Sequence, residues 1–330
     1  QSLIEAVAAA KRGEGKYIPV EYDSTDVAGS NQFLFFMKPE LTERSQTFAA
    51  VADFVFKKLA DFNFSIERIS VISGEYLAEY GIISDHYGII DKTARAPVEA
   101  MRPNMWEAFE SHFNVPGSKA RVIGGIDYLK SHADIDEDEL SRRWLDRGFI
   151  RLGSGTYCQY IDEEDVYLVN GFYPKLLNHF SRKGSCIVTC VLRSDTSWKQ
   201  ARVDFTGTTV PENAVTGSIR RELLMKKDDF CLDDISPSLN GVHLSAGPVE
   251  GLLELMRFTA DRTLDDQTAG IGDFLFGERL ISEFDPISVQ AILNNAVVET
   301  DSGESTTFDI TEELDSEDAI AELKKAKLKI

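Results

Sequence analysis

Histidine and cysteine are scarce in this chain, with five and four among 330 residues. The cysteines, Cys158, Cys186, Cys190 and Cys231, form no CxxC pair and no cluster with histidine, so the spacing of a structural zinc site is missing. Cys186 and Cys190 lie four residues apart in the apolar run SCIVTCV. On a strand that spacing turns both to one face, and both read as buried reduced thiols. No apolar run is long enough to span a bilayer and no secretory leader is seen, so a reducing cytoplasm is the expected compartment and no membrane partner is expected. Basic residues are in deficit, 35 against 55 acidic, for a net charge of −20. A surface of that sign repels nucleic-acid backbones, so no nucleic-acid partner is expected, and an anionic ligand has to be held by a local basic pocket. Internal repeats are absent. The length suits roughly two domains.

What is present has α/β character. Ser2–Arg12 is alanine-rich and helix-favouring, and a polar linker follows to Ser30. Phe33–Met37 is a continuous apolar run, the mark of a strand buried on both faces, and Pro39 ends it with Lys38 at its tip. A helix capped by Thr42 should carry Phe48, Val51 or Ala52, Val55 and Leu59 inward. Ser65–Ile72 reads as a second strand and SGEYLAEYG as a short helix. Residues 83–165 change character and read as an insertion, with helices over Pro103–Phe113 and Asp136–Arg147. Regular signals return at Val166 with a strand or bridging segment, followed by a short helix over FYPKLLNHF and a strand over Ser185–Leu192. A helical turn over Ser197–Asp204, a helix from Thr216 to Leu224 and a strand over Asn240–Leu244 follow. The next helix opens at Pro248, a first-turn position where the missing N–H is harmless, with Val249, Leu252, Leu253 and Met256 as its apolar face. Beyond Arg262 lies an acidic extension: an apolar island, a polar segment from Asp301 to Ser316 read as mobile surface, and a terminal helix from Glu317 with acids first and lysines last.

The chemistry concentrates between Arg202 and Glu254. His243 ends the apolar run NGVHLS, and two arginines, a Thr-x-Pro turn, an asparagine, a serine and a downstream glutamate accompany it in sequence. That inventory suits phosphoryl transfer through a nucleophilic imidazole: arginines grip phosphate oxygens and a carboxylate orients the ring. His86, His112, His132 and His179 lack such company and read as packing or surface residues.

Three blocks resemble the nucleoside diphosphate kinase family. FLFFMKPEL is similar to the family's opening strand with its Lys-Pro-acid ending. NGFYPKLLNHFSRKGSCIVTCVL is similar to its aromatic-proline helix and following strand. The Arg202–Glu254 stretch carries G-x-T-x-P, G-S-I-R and N-x-x-H-x-S in order, with a glutamate nine residues after the serine. The resemblance covers somewhat under half of the chain. It implies a ferredoxin-like antiparallel sheet sandwich (an α+β fold) built from residues 31–82 and 166–262. An N-terminal helix and linker over 1–30, a mostly helical inserted lobe over 83–165 and an extension over 263–330 complete the expected organisation.

The resemblance also implies roles. His243 matches the phosphorylated histidine, with Ser245 and Glu254 orienting its ring. Lys38, Arg202 and Arg220 match the cations on the terminal phosphates, Thr209 a phosphate donor, Asn240 a sugar and phosphate contact, and Phe172 the aromatic residue stacked on the base. The expected activity is γ-phosphate transfer between nucleoside tri- and diphosphates, with Mg²⁺ held through the nucleotide's phosphates and a homo-oligomeric assembly. The alternatives are a catalytically silent nucleotide-binding or scaffolding member, and a phosphotransferase for another acceptor. The chain departs from the pattern in three places, one of them a segment from Arg221 to Ser238 that is longer than in compact members. The spacing from Arg202 to Gly207 is one residue longer than the family's. The family's His-Tyr pair corresponds either to Glu79-Tyr80, with Tyr80 favoured, or to His86-Tyr87.

Overall fold

The computed structural model describes all residues except 1, 14, 23–26, 28, 264–268, 302 and 330. It is a mixed α/β chain in two compact units, one made of residues 1–76 and 183–330 and the other of residues 77–182.

The first unit is organised by a five-stranded, fully antiparallel sheet. Its spatial order is Lys16–Glu21, Ser65–Ser73, Cys186–Ser194, Asn31–Met37, Val242–Leu244. Every residue of Asn31–Met37 and of Cys186–Ser194 is buried, as continuous apolar runs in central strands require. The two-residue period of a strand divides these side chains between two faces. Phe33, Phe35, Met37, Cys186, Val188, Cys190, Leu192, Val242 and Leu244 share one core with Phe48, Val51, Ala52, Val55 and Leu59 of the helix Ser45–Asp61. The helix Leu3–Ala10 adds Ala6, Val7 and Ala10 to that core. The opposite parity, Leu34, Phe36 and Lys38 with His243 and Ser245, is therefore left for the other face.

Several expectations change here. The stretch read as a linker contributes the edge strand Lys16–Glu21, and its residues 23–26 and 28 lie outside the described ones. Thr42 is no cap for the long helix: its hydroxyl donates to Pro39 O and Cys186 O, at 3.0 and 2.8 Å. In Pro248–Thr259 the buried face is Val249, Leu252, Leu255 and Phe258 with Glu254, and Leu253 and Met256 are only half-buried. The polar segment after Asp301 is not simple surface either. Val297–Thr300 pairs with Gly303–Thr306 and Lys327–Leu328, and Thr307 and Thr311 are fully buried through hydroxyl bonds of 2.8 Å to Ile292 O and Thr307 O. The terminal helix spans Ser316–Lys325.

The second unit corrects both the boundaries and the character expected of an insertion. It spans Leu77–Arg182, and Val166–Val169 pairs inside it, between Val122–Gly124 and Thr156–Ile161, with Ile150–Gly153 beyond. The lobe is therefore helical with a four-stranded mixed sheet rather than mostly helical. Tyr167 and Val169 pack with Met105, Phe109 and Leu152 on one face, and Val166 and Leu168 pack with Tyr128, Leu140 and Trp144 on the other.

Candidate functional site

The short strand Val242–Leu244 carries His243 at the sheet's edge, opposite Phe36 of the neighbouring strand. The two rings stack, with centroids 4.5 Å apart and planes 17° from parallel. This contact covers one ring face and limits rotation of the imidazole. His243 Nε2 lies 2.9 and 3.0 Å from the two carboxylate oxygens of Glu254, which is 5% exposed against 20% for the histidine. Ser245 Oγ donates to the same carboxylate at 2.6 Å. Ser245 is itself held between strands, with its hydroxyl 3.3 Å from Leu34 N and its backbone N–H donating to Leu34 O at 3.1 Å.

The helix Pro248–Thr259 can come this close because Gly251 faces Ser245. A Cβ there would stand 2.9 Å from the Trp198 ring and 3.3 Å from Ser245 Cβ. An ionised Glu254 accepts only, so the bond to His243 assigns a proton to Nε2 and leaves the lone pair of the neutral imidazole on Nδ1. That is the tautomer of a nucleophilic histidine.

Lys38, at the tip of the Asn31–Met37 strand, is buried, and its ammonium donates to Asn240 Oδ1 at 2.7 Å. Burial lowers its pKa from 10.5 to about 8; Glu40 opposes the shift and Arg220 adds to it. Asn240 Nδ2 donates to Thr209 O at 3.2 Å and Pro237 O at 3.1 Å. Arg220, in the first turn of the helix Ile219–Met225, donates to Gly207 O and Val242 O, each at 2.9 Å.

Arg202 sits in a π-helical turn, Ala201–Thr206, closed by Gly207 N donating to Arg202 O at 3.0 Å. An i→i+5 turn holds one residue more than an α turn, which gives a physical account of the extra residue between Arg202 and Gly207. Its guanidinium pairs with Glu312 at 3.1 Å and Glu313 at 3.6 Å.

Lys38, Thr209, Arg220, Asn240, His243, Ser245 and Glu254 are thus joined in the first unit, with Arg202 in the same unit. Phe172 and Tyr80 belong to the second unit. The Phe172 ring packs 6.0 Å from both Trp144 and Tyr157, and Tyr80 follows the helix Gly74–Glu79. His86 ends the helix Ile82–His86, edge-on to Tyr87 at 4.7 Å.

Sequence reasoning missed four carboxylates. Glu40 accepts from Gly241 N at 2.8 Å and was visible in the Lys-Pro-Glu ending. Glu250 lies one turn before Glu254 on the same helix, a spacing legible in the sequence. Burial, then Glu254, raise its pKa to about 7, with Arg202 opposing and Glu312 and Asp309 adding. Glu312 and Glu313 lie 110 residues or more from Arg202 and carried no local signal. A cavity of about 600 Å³ in the same unit is lined by Lys16, Arg68, Tyr76, Asp261 and Phe274, and among its described lining residues there is none of the His243 site. The Lys16 ammonium there is committed to the carbonyls of Phe258, Thr259 and Ala260, at 2.7 to 3.0 Å.

Comparison with known proteins returned no matching family model and no matching curated protein. Among solved structures, the chain is similar to a nucleoside diphosphate kinase from Encephalitozoon cuniculi. Identity is 9% and the TM-score 0.31, over 72% of this chain and 94% of that one. It is likewise similar to an NDP kinase from Pyrobaculum aerophilum, at 13% identity and a TM-score of 0.33, over 72% and 98% of the two chains. Among the described residues no helix is long and apolar enough to cross a membrane.

Proposed function

We propose that this chain is a nucleoside diphosphate kinase-like phosphotransferase, taking a γ-phosphoryl group onto His243 and passing it to a nucleoside diphosphate. The observation that carries the reading is the His243–Glu254–Ser245 chain of hydrogen bonds, with the buried ammonium of Lys38 on the adjoining strand. Glu254 holds the Nε2 proton, so Nδ1 can attack phosphorus. The new P–N bond forms as the bond to the bridging oxygen of the nucleoside diphosphate breaks, and that oxygen leaves with the electron pair. The carboxylate stabilises the cationic ring as it forms. The acceptor's terminal oxygen then reverses the step. On this reading Lys38 and Arg220 meet the charge spread over the transferring group, and Arg202 becomes a third cation when Glu312 and Glu313 release it.

Mg²⁺ fits as a nucleotide-borne ion, because the nearby carboxylates of Glu254 and Glu40 are engaged with His243, Ser245 and Gly241. When bound, it would offset the charge of the phosphate groups. Thr209 and Asn240 are proposed phosphate and sugar contacts. The strand order of the main sheet supports a ferredoxin-like sandwich: of the strands 31–37, 65–73, 186–194 and 242–244, the first lies between the third and fourth. A homo-oligomer, a cytoplasmic location and the absence of nucleic-acid and membrane partners belong to the same proposal.

A second reading, a nucleotide-binding member without turnover, is favoured by one observation: Arg220 and Arg202 both engage protein acceptors. Incubation with Mg²⁺ and γ-labelled ATP separates the two. Acid-labile, alkali-stable label on the wild type, lost in His243→Ala and chased to GDP, supports the kinase. Nucleotide binding with no label supports the silent member. Label that passes to no nucleoside diphosphate points to another acceptor.

A further inference from the structure

The segment from Thr307 to Ser316 is fastened at both ends and turns two acids towards the candidate site. At one end the buried Thr307 anchors it through a hydroxyl bond of 2.8 Å to Ile292 O, and the buried Thr311 closes a turn within it by donating to Thr307 O at the same distance. At the other, Asp315 Oδ1 accepts from Trp198 N at 2.8 Å and Asn31 Nδ2 at 3.1 Å, and Ser316 Oγ donates to Asn31 Oδ1 at 3.1 Å. Between the anchors it crosses the turn joining the His243 strand to the Glu254 helix. Glu313 N donates to Ala246 O at 3.0 Å. A Cβ on Gly247 would lie 2.6 Å from Thr311 O, so only glycine admits the crossing chain there. Glu313 takes a left-handed backbone, φ 58°, uncommon for a residue with a side chain, and its carboxylate reaches Arg202 together with that of Glu312.

We propose that the segment Thr311–Asp315 is an internal anion that occupies Arg202 and has to release it before a nucleoside polyphosphate is held there. The inference rests on the reading of Arg202 as a phosphate-binding residue. Two carboxylates on one guanidinium imitate the oxygen pairs of a phosphate chain. They also leave the cluster net negative, and it repels an incoming polyphosphate. The grip is reversible by construction. The side chains are 30% exposed for Arg202, 49% for Glu312 and 34% for Glu313, and ion pairs that open to water are weak. The buried anchors keep the acids at hand after release, so the strap competes at high local concentration without needing a partner.

The test is calorimetric titration of ADP with Mg²⁺ into the full chain and into the double variant Glu312→Gln, Glu313→Gln. The variant is expected to bind roughly 3- to 10-fold more tightly at low salt. The gain should shrink at high salt and vanish in an Arg202→Gln background. Equal affinities of wild type and double variant overturn the latch, and if neither binds ADP the phosphotransferase reading falls with it. Tighter binding by the variant with no label on His243 keeps the latch and removes only the transfer step.

Discussion

The guanidinium of Arg220 holds the carbonyl of Val242, the residue before His243, at 2.9 Å, while its other terminal nitrogen holds Gly207 O at the same distance. One side chain thus ties the loop after Arg202 to the strand that carries the imidazole. Deleting it leaves two carbonyls without their charged donor. Arg220→Ala is expected to lose about 2–3 kcal/mol of stability in urea unfolding. Arg220→Lys should recover only part of this, because an ammonium cannot reproduce the planar fork. A variant within about 0.5 kcal/mol of the wild type would show that the bridge carries no weight.

Glu254 lies deeper than His243 and receives both Nε2 and the Ser245 hydroxyl. Glu254→Gln preserves volume but removes the charge that, in the proposed transfer, stabilises the forming cation. Phosphoryl uptake in a single-turnover labelling experiment should slow by roughly 100-fold. Ser245→Ala should slow it less, by about 10-fold, since the carboxylate keeps its contact with the imidazole. Label uptake at the wild-type rate by Glu254→Gln would sink the orienting role.

Lys38 gives opposite pH signatures for folding and for binding. With its pKa lowered by burial to about 8 against the ordinary 10.5, the unfolded chain holds more protons between those values. Stability from this group therefore rises as pH climbs from 8 to 10.5. On the proposed reading polyphosphate binding needs the ammonium, so ADP affinity should fall by roughly 10-fold between about pH 7.5 and pH 9.5. Lys38→Met should bind weakly with a flat profile over that range. A parallel decline in wild type and variant would assign the titration elsewhere.

Glu250 is the reverse case. Burial, with Glu254, raises its pKa to about 7 from 4.5, so the folded chain holds more protons between those values. Its contribution to stability falls as pH rises through that window, and the penalty is complete above pH 7. Glu250→Gln should stabilise the protein at pH 8 on the order of 1–2 kcal/mol after allowance for partial exposure, and change little at pH 4.5. Denaturant midpoints at the two pH values measure this directly, and a variant less stable at pH 8 contradicts it.

Much of the central architecture was legible because it is written in local periods. The uninterrupted run Phe33–Met37 could bury both faces only in a central strand. The inward face of Ser45–Asp61 is the one its 3.6-residue period gives. The pairing of His243 with Glu254 was readable because strand, turn and helix follow in only eleven steps of sequence. Other features were not local. The edge strand Lys16–Glu21 carries a proline and reads as linker until Ser65–Ser73 supplies its hydrogen bonds. Val166–Val169 has the same apolar pattern whichever sheet it joins, and only its partners Val122–Gly124 and Thr156–Ile161 assign it to the second unit. The helix from Pro248 turned Leu255 and Phe258 inward rather than Leu253 and Met256, because Glu254 had to face Ser245.

The sequence by itself determined the residue types of the site, their order, and the strands and helices that carry most of them, since propensity, capping and periodicity act over a few residues. Tertiary structure alone decided which acceptors hold the arginines, how deeply Lys38 is buried, and that Glu312 and Glu313 return to Arg202 from 110 residues or more away. Charge pairing and desolvation depend on distance through space, and chain position sets that distance only after the sheet has closed.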